Sequence, residues 1–137
     1  MRAKSFTAKR VRNVLIYVHS ATAPDDDDWD QVLSFYGAAT ADAKVCTLVY
    51  TEGGAPNAAQ RARLNARLGP GIVRIAVLTP SAIARAAGTA VTWFRPHVRV
   101  FGQHDFDRAM DHLEISPEGR QEIRDALQDM KRTLGLR

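Results

Sequence analysis

The chain has 137 residues, one cysteine, 45% hydrophobic and 25% charged residues, and a formal net charge of +4. That length suits one domain with its own core, needing no metal or disulfide; a lone Cys46 excludes an intramolecular disulfide, and the composition excludes collagenous and disordered classes. No run approaches the ~20 apolar residues of a membrane span, and no apolar stretch follows the basic start as a secretory signal requires, so the expected location is cytoplasmic.

Arg2, Lys4, Lys9, Arg10 and Arg12 gather the positive charge into residues 1–12. This stretch reads as a basic, flexible arm, and a single α/β domain is expected over 13–137. The domain carries no basic stripe, which argues against nucleic acid as a partner.

Val14–Val18 is a short β-rich apolar run, read as a strand buried on both faces, and His19 lies at its end. Asp25–Asp28 precede Trp29, Val32, Leu33 and Tyr36, whose spacing predicts a helix over about 27–36, closed by Gly37. The acidic run is the densest in the chain, yet it lacks the ligand spacing of a calcium loop. Carboxylates at a helix start complement its dipole, and one of them is expected to cap it.

A second strand is expected over Lys44–Tyr50, with Cys46 as a buried, inert thiol. The turn Thr51-Glu52-Gly53-Gly54-Ala55-Pro56-Asn57 follows, and Pro56 suits the first position of a helix running through Gln60, Leu64 and Leu68 to Gly69-Pro70-Gly71. A loop at the carboxyl end of a strand, opening a helix, is where α/β sheets bind ligands. This one has neither a dinucleotide fingerprint nor a P-loop lysine.

Val73–Thr79 is a third strand, and Pro80 behind Thr79 opens a helix with Ile83, Ala87, Ala90, Val91 and Phe94 on its apolar stripe, stopped by Pro96. Adjacent Trp93 and Phe94 cannot both face the core, so Trp93 with Arg95 is a candidate interface anchor. Val98–Phe101 is a fourth strand, and Asp105, Phe106, Ala109, Met110 and Leu113 mark a short amphipathic helix. Ser116 and Pro117 open the last helix, whose Ile123, Leu127, Met130 and Leu134 share one face. His19, His97, His104 and His112 have no ligand spacing, so no metal, cofactor or catalytic group set is expected.

Alternating strands and helices imply a mostly parallel four-stranded sheet with helices packed on it, and residues 115–137 as an appended C-terminal helix. Val14 to His19, the helix near Trp29, the stretch Leu48–Arg61, and Ile75–Thr79 through Trp93-Phe94 stand in an order that resembles the STAS/SpoIIAA-like, anti-sigma-factor-antagonist proteins and their SEC14-related cousins, over about residues 12–115. In that family a strand ends in a loop bearing Asp-Ser, and phosphorylation of the serine releases a kinase partner. The matching loop here is Thr51-Glu52-Gly53-Gly54, without the Asp-Ser pair; Thr51 is the nearest hydroxyl, and Glu52 already supplies a negative charge. The resemblance therefore implies a non-enzymatic regulatory or scaffolding module of bacterial-type signalling. Its expected partner is another protein, kinase-like or otherwise regulatory, docked on Thr51, Glu52, Gly53, Gly54 and Asn57 with Trp93 and Arg95 as anchors. Three alternatives stay open: a sensor for a nucleotide or lipid-like ligand at the same edge, an enzyme using His19 or Glu52 as an acid or base, and a structural homo-oligomer built through the last helix.

Overall fold

The computed structural model describes residues 5–35, 45–54, 56–68, 74–80 and 97–136. Among the described residues five strands form one sheet in chain order: β1 (Phe6–Val11), β2 (Val14–His19), β3 (Cys46–Thr51), β4 (Ile75–Thr79) and β5 (Val98–Gly102). Strands β2 to β5 are parallel, and β1 pairs antiparallel with β2. The described helices are α1 (Asp26–Ser34), α2 (Ala58–Leu68), α3 (Phe106–His112) and α4 (Pro117–Thr133).

The sheet thus has five strands where four were expected. The difference is β1, which falls within the stretch read as a basic arm. Its Lys9 and Arg10 are exposed while Phe6 and Val11 are buried. Charges on an edge strand face water and deter pairing with other chains, so an edge strand and a solvated tail have similar composition. Arg12-Asn13 makes the two-residue connection to β2, with Arg12 at φ 55°. An asparagine between Val11 and Val14 was the local signal of that hairpin.

All six residues of β2 and all six of β3 are buried, as expected for central parallel strands covered on both faces. When neighbouring parallel strands follow in chain order, right-handed crossovers place their helices on one face. Accordingly α1 and α2 share a core with Phe6, Leu15, Tyr17 and Val49, to which α1 gives Trp29, Val32 and Leu33 and α2 gives Leu64. The opposite face needs another cover, supplied by α3 and α4. Phe106, Ala109, Met110, Ile123, Ala126, Leu127 and Met130 pack there on Ile16, Val18, Leu48, Tyr50 and Leu78. The C-terminal helix is therefore the second layer of the domain, with its apolar face spent on its own sheet.

Helix starts follow local chemistry. Asp25 caps α1 in a reciprocal box: its carboxylate accepts from Asp28 N at 2.7 Å, and the Asp28 carboxylate accepts from Asp25 N. This is the structural use expected of the acidic run. Helix α2 begins after Pro56, not at it, because Asn57 is the capping residue. Its Oδ1 accepts from Gln60 N at 2.8 Å, and Gln60 Oε1 accepts from Asn57 N at 3.0 Å. The ends expected at Tyr36, Gly37, Lys44 and Gly69–Gly71, and the helix expected behind Pro80 from residue 81 on, lie outside the described residues.

Candidate functional site

The parallel strands point their carboxyl ends to one edge of the sheet, and the candidate loop stands there, between β3 and α2. His19 and Thr51 are register partners at the ends of β2 and β3. Glu52 N donates to the His19 carbonyl at 3.2 Å, and Gly54 N donates to the Ser20 carbonyl at 3.0 Å, so the loop is stitched to the segment leaving β2.

Thr51 is buried, and its hydroxyl works within the loop: Oγ1 donates to the Gly54 carbonyl at 2.6 Å and accepts from Gly53 N at 3.0 Å. The nearest hydroxyl to the family's serine position is thus a turn fastener. Gly53 is exposed at φ 142°, a region open essentially to glycine. Gly54 is buried against the next loop, and a Cβ there would lie 2.2 Å from the Thr22 carbonyl oxygen and 2.7 Å from that of Ser20. The two glycines serve different needs, backbone conformation at Gly53 and close approach at Gly54.

Glu52 is half-exposed, and one carboxylate oxygen accepts from the Tyr50 hydroxyl at 2.8 Å. Burial, that hydrogen bond and the nearby negative charge all push the Tyr50 phenol above its ordinary range. Lys131 of α4 reaches the same place. It is 8% exposed, with its ammonium 4.3 Å from the centre of the Tyr50 ring. Burial lowers its pKa and the attraction of Glu52 opposes that shift. Tyr50, Glu52 and Lys131 therefore form a cluster joining the loop to the C-terminal helix.

The structure brings together Thr51, Glu52, Gly53, Gly54 and, at the cap of α2, exposed Asn57. Trp93 and Arg95 lie outside the described residues. Sequence reasoning missed Lys131 and Gln60. Lys131 stands four positions after Leu127, on the buried face of α4, which was the available signal. Gln60 Nε2 donates to the Pro24 carbonyl at 3.1 Å and to the Asp26 carboxylate at 3.2 Å, while the Gln60 carbonyl accepts from the Trp29 indole at 2.7 Å, tying α2 to α1.

His19 is 1% exposed, and neither ring nitrogen has a hydrogen-bond partner among the described residues. Burial drops its pKa to about 4, so the ring is neutral near pH 7. Cys46 is buried, and burial raises its thiol to about 11. Among the described residues no group of three His, Cys, Asp or Glu is placed to hold a metal ion, and no helix is long and apolar enough to cross a membrane.

No family model matches the sequence, and no curated protein matches it. Among solved structures, the chain is similar to an uncharacterized protein of the DUF3478 family with a SpoIIAA-like fold from Shewanella loihica PV-4. The two share 16% identity and superpose with a TM-score of 0.54 over 80% of this chain and 92% of that one. That match, with a mostly parallel sheet and helices on both of its faces, gives this chain a SpoIIAA-like fold.

Proposed function

We propose that this domain is a non-catalytic regulatory module that docks a protein partner on the loop 51–54 and the start of α2. The observation that carries the reading is how the loop spends its polar groups. The Thr51 hydroxyl and the Glu52 and Gly54 amides all bond within the protein, which leaves Gly53 and one flank of Glu52 as a preformed tip. A loop already held in shape loses little entropy on binding. Glu52 presents a fixed negative charge where the antagonist family presents a switchable one, so the complementary surface is basic. Trp93 and Arg95 enter as anchors on sequence grounds. The hydroxyls of Thr51 and Tyr50 are engaged, and the His19 ring is closed off from solvent, which supports docking over catalysis at this edge.

The test is a tagged pull-down from nuclease-treated native lysate at physiological salt. Wild type runs beside Glu52→Lys and beside Gln121→Lys, a charge change on the exposed face of α4. A protein retained by wild type and Gln121→Lys but lost by Glu52→Lys supports the reading. Equal retention by all three removes the loop as the docking surface. If no specific protein is retained, the ligand-sensor reading takes its place, and a rise in Tm across a metabolite panel becomes the deciding measurement.

A further inference from the structure

His19 stands at a joint. On one side, the start of β1 lies over it: Phe6 is its register partner, and Ser20 N donates to the Ser5 carbonyl at 2.9 Å. On the other, its own carbonyl holds Glu52 N, and the Ser20 carbonyl next to it holds Gly54 N. The imidazole is boxed by rings, with Phe6 at 5.0 Å and Tyr17 edge-on at 5.4 Å between centroids. Neutral imidazole tolerates such a box; imidazolium brings two N–H donors and a charge into a place where the described residues offer no acceptor.

We propose that His19 is an acid-sensitive latch: protonating its ring opens the joint between the start of β1, the end of β2 and the loop 52–54, ahead of the rest of the sheet. The latch stands on the geometry of the joint and holds with or without a partner on the loop.

Among the described residues, the charged groups near the joint do not supply a counter-ion. On β1, Lys9 and Arg10 pair with Ile16 and Leu15, at the far end from Phe6. On β2, the titratable neighbour in ring contact is the phenol of Tyr17, and β3 offers Thr51 across the register. The carboxylate of Glu52 is engaged by Tyr50, which belongs to the opposite face of the sheet. From α1, Trp29 packs edge-on against Tyr17, and the carboxylates of Asp25 and Asp28 close the cap of their own helix. From α2, Gln60 is uncharged. Burial is accordingly the cause of the depressed basicity of the ring, with no charged neighbour contributing.

The sign follows from linkage. The ring rests at about 4 when enclosed and returns towards 6.5 when the joint opens, so the open form binds the proton better and gains as pH falls through that window. That shift makes the open population rise roughly fifty-fold between about pH 7 and pH 4.5.

The experiment is NMR on the intact chain with 13C-labelled histidine, read with amide exchange from pH 7 to 4.5. The latch requires the His19 ring to titrate well below 6.5. It also requires protection factors at Ser20, Glu52 and Gly54 to fall roughly fifty-fold, while amides of Leu127 and Met130 in α4 hold theirs. A His19→Phe variant, with an uncharged ring in the same box, should keep protection at the joint constant over the range. A His19 ring that titrates near 6.5 in the folded chain overturns the latch. So does a fall in protection shared equally by α4, which is global acid unfolding. Should His19→Phe fail to fold, the wild-type titration and the contrast between joint and α4 amides still decide.

Discussion

Gly54 stands against the Thr22 carbonyl so closely that a Cβ would sit 2.2 Å from the oxygen, with the Ser20 oxygen at 2.7 Å. Both atoms are backbone, so neither can swing aside as a side chain would. Gly54→Ala should therefore push the candidate loop off the segment 20–22 and cost about 2–4 kcal/mol, the upper range of overpacking. Gly53→Ala meets open space and pays only for φ 142°, about 1–2 kcal/mol of backbone strain. Urea unfolding of the two variants should rank them in that order; the reverse order would show that conformation, not approach, governs the turn.

The reciprocal cap of α2 separates a helix function from a docking function for Asn57. Asn57→Ala removes one acceptor at the helix start and should cost about 1 kcal/mol. Gln60→Ala strips the reciprocal half of the cap and the bonds to Pro24 and Asp26, leaving a buried carbonyl unserved at about 1–3 kcal/mol. Unfolding midpoints at constant m-value check both. If Asn57→Ala weakens partner retention while leaving stability intact, its side chain belongs to the docking surface.

Lys131 is buried and held over the Tyr50 ring with Glu52 nearby. Its folded pKa is lowered, so the unfolded chain holds the proton better. Stability should rise as pH climbs from the folded value towards the ordinary lysine range, where the burial penalty is lost. Lys131→Met keeps the apolar stem and removes that penalty, so its midpoint should equal or exceed that of wild type. Lys131→Glu sets a second carboxylate beside Glu52 and should lose about 3 kcal/mol or more. Denaturant titrations at pH 7 and pH 9.5 distinguish these, since the advantage of the methionine should shrink at the higher pH.

The C-terminal helix covers the sheet face opposite α1 and α2. Ile123 is fully buried at its centre, and Ile123→Ala should cost about 3–4 kcal/mol. Removing residues 116–137 takes away Ile123, Leu127 and Met130 together, a loss comparable to the whole ~5–15 kcal/mol by which a domain is stable. The truncated chain should show no cooperative thermal transition. A sharp transition in that fragment would show that the rest of the domain folds without the helix.

Local chemistry was legible where short-range preferences act alone. The β-rich runs at Val14–His19 and Cys46–Thr51, the aspartate cap before Trp29, the Ser116-Pro117 start and the apolar spacing of Ile123, Leu127 and Met130 all follow from neighbours within a few positions. So did the place of the candidate loop at the end of a parallel strand. Tertiary structure alone decided the rest, because those features depend on atoms distant in sequence. Phe6–Val11 is a strand only because β2 offers it an edge, and its lysine and arginine suit that edge as well as they suit a tail. Gly54 is required by carbonyls that come from the loop after another strand. Lys131 meets Glu52 and Tyr50 across 79 or more positions because α1 and α2 cover one sheet face and the C-terminal helix packs on the other. His19 reads in sequence like any histidine at the end of a strand; register with Phe6 and packing against Tyr17 exclude water from it, and desolvation then sets its charge.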